Sequence, residues 1–410
     1  MGKRVICYIQ AFDCEHTIEA AMRSVLNQTY DNWLCFVLSN GNKNTAKALN
    51  WSLDIIRSVA AQDSRFVVLN KRGNYINMYI PTLYYLANRF PDSYICSLDA
   101  DDEYQSDFFE RGVAFAESRR LDIAACGTEI IQKEDVTARD GVLLSRREVK
   151  EDLMIEGVDF TRLFPVYKPF FNEMWGKLYR TELFGPSYGR KYAKRHFFGR
   201  FLPDTLFTVD NLSRSERIGL LSGTSHKFYQ YRRRRANNAT SLANSSTVNR
   251  KYSLFHGRHL LSVYSTHETV MSFLRSRGEI TGDLYEYMQA VLFGWYRDYY
   301  TRTLLTTQRE KSFAVLASEL VLHPKFDEVM LYQDSGKYDN LRDYIRRREF
   351  CRQLYHLTVC QEALRNSGPQ IQIGPVLLDR KCSLSTRRRL ARVAEKLERI
   401  LRALPELGGD

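Results

Sequence analysis

The sequence is poor in proline and glycine, with 10 and 22 respectively in 410 residues. That excludes long flexible linkers, collagen-like structure and low-complexity chains. No run approaches the ~20 apolar residues needed to cross a bilayer. The first apolar stretch, Val5 to Ile9, is too short for a leader and meets Asp13 and Glu15 at once. It reads as a first strand, and a cytoplasmic chain is expected. The eight cysteines include no C-x-x-C pair and no zinc spacing. Cys7, Cys35 and Cys96 lie in apolar, strand-like runs, which suits buried free thiols. Acidic residues are missing altogether from Arg217 to His267, where nine Lys or Arg occur, and the whole chain carries +12. Such a stretch suits an anionic partner: a phosphate, a nucleic acid or a membrane surface.

What is present is ordinary for a globular protein: 44% hydrophobic and 26% charged residues. The length fits two or three domains at ~150 residues each. The first ~130 residues alternate strand and helix patterns. Strands are expected at Arg4–Gln10, Trp33–Leu38, Phe66–Leu69 and Tyr94–Leu98, and helices at Glu15–Asn27, Asn44–Ala61 and Ile80–Arg89. In the first helix Ile18, Ala21, Met22 and Val25 share a face. Alternation of this kind predicts an α/β domain with a mostly parallel sheet, whose ligands bind beyond the carboxyl ends of the strands. Beyond ~250 helical stripes dominate, as in Leu390, Val393, Leu397, Ile400, Leu401 and Leu404. The expected organisation is therefore an α/β domain over 1–225, a basic linker over 226–250 and a mainly helical domain over 251–410.

The loops after the strands carry the polar chemistry. They are Gln10-Ala11-Phe12-Asp13, Ser39-Asn40-Gly41-Asn42 and Asp99-Ala100-Asp101-Asp102-Glu103. Four acids in five residues repel one another unless a cation neutralises them. Asp99 and Asp101 share a side if the extended conformation persists. Carboxylates with open coordination positions suit Mg²⁺ or Mn²⁺ shared with a diphosphate. A solvated turn capping the next helix is the plainer alternative.

These residues resemble the family 2 glycosyltransferases, inverting enzymes of the GT-A fold that use nucleotide-sugar donors. The resemblance runs in order over residues 4–242. It comprises Val5 to Gly41 with its core Ser24-Val25-Leu26-Asn27-Gln28-Thr29-Tyr30, then Ser97-Leu98-Asp99-Ala100-Asp101-Asp102, then Trp175-Gly176-Lys177-Leu178-Tyr179-Arg180, then Pro203-Asp204-Thr205-Leu206-Phe207 and Tyr229 to Arg235. It implies a GT-A, Rossmann-like domain. Phe12 would stack near the donor base, Asp13 holds the place of the family's Asn, and Asn40 would face the uracil edge. Lys71 or Arg72 would replace an arginine missing from a poorly kept segment near Gly73. Asp101, with Asp99, would hold the metal, and Asp204 would be the catalytic base. Lys177 would approach phosphate, Arg232 and Arg234 would pair with it, and Trp175 and Asp102 would face the acceptor. In place of the family's usual Asp pair and Glu, this chain has Ser39-Asn40 and Pro203.

The implied reaction is metal-dependent transfer of a sugar, with inversion, from a UDP-sugar to a hydroxyl of a glycan, lipid-linked or protein acceptor. The implied cofactor is Mn²⁺ or Mg²⁺. Asp204 has an alternative role as cap of a helix that Thr205 begins. The basic helix Thr386–Leu404 could pack as a final helix, pair in a homodimer, or lie on an anionic membrane at the inner face. His256 and His259, with H-x-x-H spacing, read as structural, as do Tyr285, Tyr287, Tyr296, Tyr299 and Tyr300. Two rival readings remain: a degenerate nucleotide-sugar-binding module, or a polyanion- or membrane-binding protein. A nucleic-acid partner is disfavoured, because no RNA-binding motif accompanies the basic run.

Overall fold

The computed structural model describes residues 2–40, 51–70, 79–185, 203–231, 256–304, 310–331, 340–363, 372–373, 376–377 and 384–404. The described residues form two compact units. The first comprises Met1–Asn249 and Thr269–Glu279, and the second Arg250–Glu268 and Ile280–Asp410.

The first unit is built on a ten-stranded sheet. Its strands are β1 (Arg4–Ala11), β2 (Trp33–Ser39), β3 (Phe66–Asn70), β4 (Ser93–Asp99), β5 (Glu103–Tyr104), β6 (Ile123–Lys133), β7 (Val142–Arg147), β8 (Leu153–Glu156), β9 (Lys177–Arg180) and β10 (Arg217–Tyr231). The order is β3-β2-β1-β4-β9-β6-β10-β5, with β7 on β6 and β8 on β10. The half made by β3, β2, β1 and β4 is parallel throughout. Helices α1 (Ile18–Leu26), α2 (Trp51–Ala60), α3 (Tyr79–Arg89) and α4 (Phe108–Arg119) connect or flank its strands.

The early elements follow from apolar spacing. Val5, Ile6, Cys7, Tyr8 and Ile9 are all fully buried, as a central strand covered on both faces requires. Ile18, Ala21, Met22 and Val25 form the buried face of α1. That helix starts at Ile18, later than Glu15, because the chain is still turning: Asp13 has φ +54° and Cys14 accepts the first amide bonds. The expected helix from Asn44 is described from Trp51 onward, and 41–50 lie outside the described residues. Cys7 pairs in register with Cys35 on one side and Cys96 on the other. These three, with Cys14, Cys126 and Cys351, are buried free thiols.

Strand register decides where the polar loops gather. Ala11 pairs with Ser39, and Gln10 with Asp99. The three strand-end loops therefore leave the sheet at one edge. The second half of the sheet is mixed. β9 runs antiparallel to both β4 and β6, while β10 runs parallel to β6 and antiparallel to β5 and β8. β10 reaches these partners through a bulge between Leu221 and His226, where Gly223 adopts φ +68°. Gly127 on β6 faces this bulge.

The second unit is helical. Tyr264, Tyr296, Phe326 and Phe350 are among its buried rings, and the last helix, Leu384–Ala403, packs on helices Asn340–Ala363 and Glu310–Val321. Its stripe of Leu390, Val393, Leu397 and Ile400 is wholly buried. Tyr296, Tyr299 and Tyr300 are core residues, and Tyr285 and Tyr287 are half-buried. His267 is buried, while the side chains of His256 and His259 lie outside the described residues. No described helix is long and apolar enough to cross a membrane.

A Cβ on Gly127 would meet the Gly223 carbonyl oxygen at 2.2 Å and the Arg147 carbonyl oxygen at 2.6 Å. Neither backbone can yield cheaply. Gly127→Ala is therefore expected to destabilise by about 1–3 kcal/mol, read as a melting temperature several degrees lower. Gly282→Ala, with nothing within 4 Å of the added carbon, should melt close to the parent. Equal melting of the two variants would contradict this packing.

Candidate active site

The site grows from the end of β4. Six of its seven residues are buried and the last, Asp99, is half-buried. The chain then turns, with the Asp102 amide donating to the Asp99 carbonyl at 3.1 Å. Asp99 and Asp101 are both half-buried on this turn. The Asp99 carboxyl is pushed up to about 7, by burial first and then by the charges of Asp101 and Asp204. The Tyr79 hydroxyl, from the first residue of α3, donates to it at 3.4 Å and opposes the shift.

Asp204 comes from a distant part of the chain. It lies in the first turn of helix Pro203–Arg214. Proline fits the first helical position, since its missing N–H is unpaired there anyway. The helix thus begins before Thr205, and Asp204 is within it and not its cap. Its carboxyl is pushed up to about 6 by burial and by the Glu173 charge, with Lys177 acting the other way. Asp99 therefore feels the charges of both Asp101 and Asp204.

Glu173 was not singled out from the sequence. It forms an ion pair with Arg147 at 2.8 Å. Lys177 lies inside the protein at 1% exposure, not at a solvent-facing phosphate position. Its ammonium donates to the Glu173 and Trp175 carbonyls at 2.7 and 2.8 Å. Burial draws it down to about 7, against the nearby Glu173 charge.

Trp175 and Asp102, expected on the acceptor side, are also interior. The Trp175 ring stacks on His226 at 4.2 Å and on Phe228 at 5.4 Å. Asp102 is 1% exposed, with Oδ1 accepting from the Tyr229 amide at 3.0 Å. Burial raises its carboxyl well above the usual range, and Asp101 and Asp99 add to this.

The loops of β1 and β2 meet beside this turn in the sheet. Phe12 and Asp13 are half-buried, and Asp13 takes the left-handed conformation. Asn40 is fully buried. Its amide donates to the Ala11 carbonyl at 2.8 Å, and its carboxamide has no hydrogen-bond partner among the described residues. Lys71, Arg72, Arg232 and Arg234 lie outside the described residues.

The Ser24–Tyr30 segment supports the acidic loop from below. Gln28 donates to the Gln105 carbonyl at 2.7 Å and accepts from the Phe109 amide at 2.9 Å. Ser24 accepts from the Tyr104 amide at 3.1 Å, and the Thr29 amide donates to Ser106 at 2.8 Å. A motif at the C-terminal end of α1 and the turn after it thereby sets the backbone just after the acids.

Among the described residues no three His, Cys, Asp or Glu side chains group as a metal-holding set. The chain offers the Asp99 and Asp101 pair, all-oxygen donors of the kind hard divalent cations take.

The first unit is thus an α/β domain with polar loops beyond the carboxyl ends of its parallel strands, the arrangement expected of the GT-A fold. Residues 6–175 match the model of Glycosyl transferase family 2. No curated protein matches the chain. Similar solved structures include S. aureus TarS 1–349 in complex with UDP-GlcNAc, with TM-score 0.49, 11% identity, and cover of 80% of this chain and 81% of that one. TarS 1–349 is also similar (TM-score 0.44, 11% identity, 98% and 90% covered), as is S. aureus TarS (TM-score 0.44, 12% identity, 82% and 56% covered).

The raised Asp99 carboxyl has a consequence for stability. Between its ordinary value near ~4 and about 7, the folded chain keeps a proton that the unfolded chain releases. Its stabilising effect is full below pH ~4 and is lost as pH rises through about 7. Asp99→Asn removes this dependence. The variant is expected to gain on the parent in melting temperature by a few degrees as pH rises from 4 to 8. A difference that stays constant with pH would contradict the assigned environment.

Proposed function

We propose that this protein is an inverting glycosyltransferase that moves a sugar from a nucleoside-diphosphate donor, UDP-linked, to an acceptor hydroxyl. The observation that supports this reading is the acidic turn at the end of β4, where Asp99 feels the charges of Asp101 and Asp204, in a chain whose residues 6–175 match family 2. The acceptor is a hydroxyl of a glycan, a lipid-linked sugar or a protein, and the proposed place of work is the cytoplasm or the inner face of its membrane.

The chemistry places two demands on the site. Negative charge grows on the diphosphate as it leaves, and the attacking hydroxyl must lose its proton. Asp99 and Asp101 fit a divalent cation completed by diphosphate oxygens, because the donors are all oxygen and the pair repels itself without one. Such a cation, when bound, supplies Lewis-acid stabilisation of the leaving group. Phe12 and Asn40, at the ends of β1 and β2, take the nucleoside. Tyr79 orients Asp99. Asp204 accepts the proton of the acceptor hydroxyl, which a positioned base does at a gain of ~10²–10⁴-fold. A carboxyl drawn up to about 6 is a stronger base than an ordinary one and is still ionised at neutral pH.

The test is nucleotide release from a panel of UDP-, GDP-, TDP- and CMP-sugars, UDP-GlcNAc included, with and without Mn²⁺. Release from one donor is expected, dependent on the cation and abolished in Asp101→Ala. Asp204→Asn is expected to lower turnover by ~10²–10⁴-fold while UDP still binds. The base must be ionised, so the rate should climb about tenfold per pH unit below about 6 and level off above it. Binding without turnover, even with acceptors added, would favour the degenerate module. No nucleotide binding at all would overturn the reading.

A further inference from the structure

We propose that Asp102 is a positioning residue: from inside the protein it fastens the loop bearing Asp99 and Asp101 to the end of β10. The inference rests on the reading of those two carboxylates as donor-site groups.

The geometry is that of a strut. Asp102 closes the turn through its own amide, bound to the Asp99 carbonyl at 3.1 Å. Its side chain then points inward. One carboxyl oxygen takes the Tyr229 amide at 3.0 Å. The other lies 3.4 Å from Nε2 of His226, a ring with no exposed surface. Trp175 stacks on that ring, so the carboxyl rests against a stiff aromatic column.

Neighbouring contacts run to the same stretch of β10. The Tyr229 hydroxyl donates to Glu103 at 2.9 Å, and the Tyr231 hydroxyl reaches the Asp101 carbonyl at 3.5 Å. Glu103 and Tyr104 pair with Lys227 and His226 in the sheet. Three consecutive acids thus meet one strand, but only Asp102 does so from within.

A buried carboxyl group is costly unless it is hydrogen-bonded. A surface turn has no need of one. Here Oδ1 is hydrogen-bonded only while the Tyr229 amide stays in place, so any drift of the loop leaves that oxygen unpaired at a cost. The loop also carries two carboxylates that push each other apart. Asp102 opposes that push at the adjacent residue, and so keeps the spacing that a nucleoside diphosphate with a divalent cation requires.

The experiment uses the full chain, with Mn²⁺ and UDP binding measured by calorimetry and melting temperature recorded for each variant. Asp102→Ala is expected to weaken UDP binding in Mn²⁺ by about 10–100-fold while still folded at the assay temperature. Asp102→Asn keeps an oxygen acceptor for the Tyr229 amide and should stay within about threefold of the parent by the same scale. Should the alanine chain not fold, Asp102→Ser replaces it, with loss expected between the two. An alanine or serine variant that binds like the parent would overturn the inference. So would an asparagine variant as weak as alanine, since charge rather than anchoring would then matter. A parent that binds neither Mn²⁺ nor UDP would instead overturn the donor-site reading beneath it, and the strut with it.

Discussion

Carboxylates crowded at the mouth of a buried strand repel, and the first unit is organised around holding them together. Desolvation raises both the Asp99 and Asp204 carboxyls, with the charges of Asp101 and Asp204 adding at Asp99 and that of Glu173 at Asp204. The backbone around them is correspondingly well secured. Gln28 and Ser24 hold the segment that follows the acids. β4, paired to β1 along its whole length, holds the segment that precedes them.

Much of this was legible in the sequence because it is local and periodic. Apolar runs located β1, β2, β3 and β4, and helical spacing named the buried face of α1. The acidic turn stood out because four acids follow a strand. What lay hidden depends on long-range pairing. A four-residue strand such as β9 does not show which way a lysine points, so Lys177 read as a phosphate ligand although it is buried. Glu173 and Arg147 carry no motif and gain meaning only once β6, β7 and β9 bring their segments together. Tyr79 follows a segment that departs from the family pattern, so nothing marked it. The alternative role of Asp204 as a cap fails because proline starts the helix one residue earlier.

The second unit shows a similar division. The stripe Leu390, Val393, Leu397 and Ile400 was visible as an amphipathic pattern, and it is packed inside the helical unit. An amphipathic helix uses such a face to enter a lipid interface. Here that face is occupied, and the last helix is left with its basic side, where Lys396 and Arg399 both engage Asp327. Any partner of this helix would therefore be met by charge and not by insertion.

The bond between Asp102 and the Tyr229 amide joins residues 127 apart in sequence. Contacts of that separation form late, because a long loop must close before they reward the chain. During synthesis the acidic turn therefore emerges well before the strand that steadies it. The segment 6–175 that carries the family likeness ends before both β10 and Asp204. The anchor on Asp102 can form only once the chain has been made past residue 229, so a ribosome-bound fragment that ends with the family likeness would carry the acidic turn without its tie to β10.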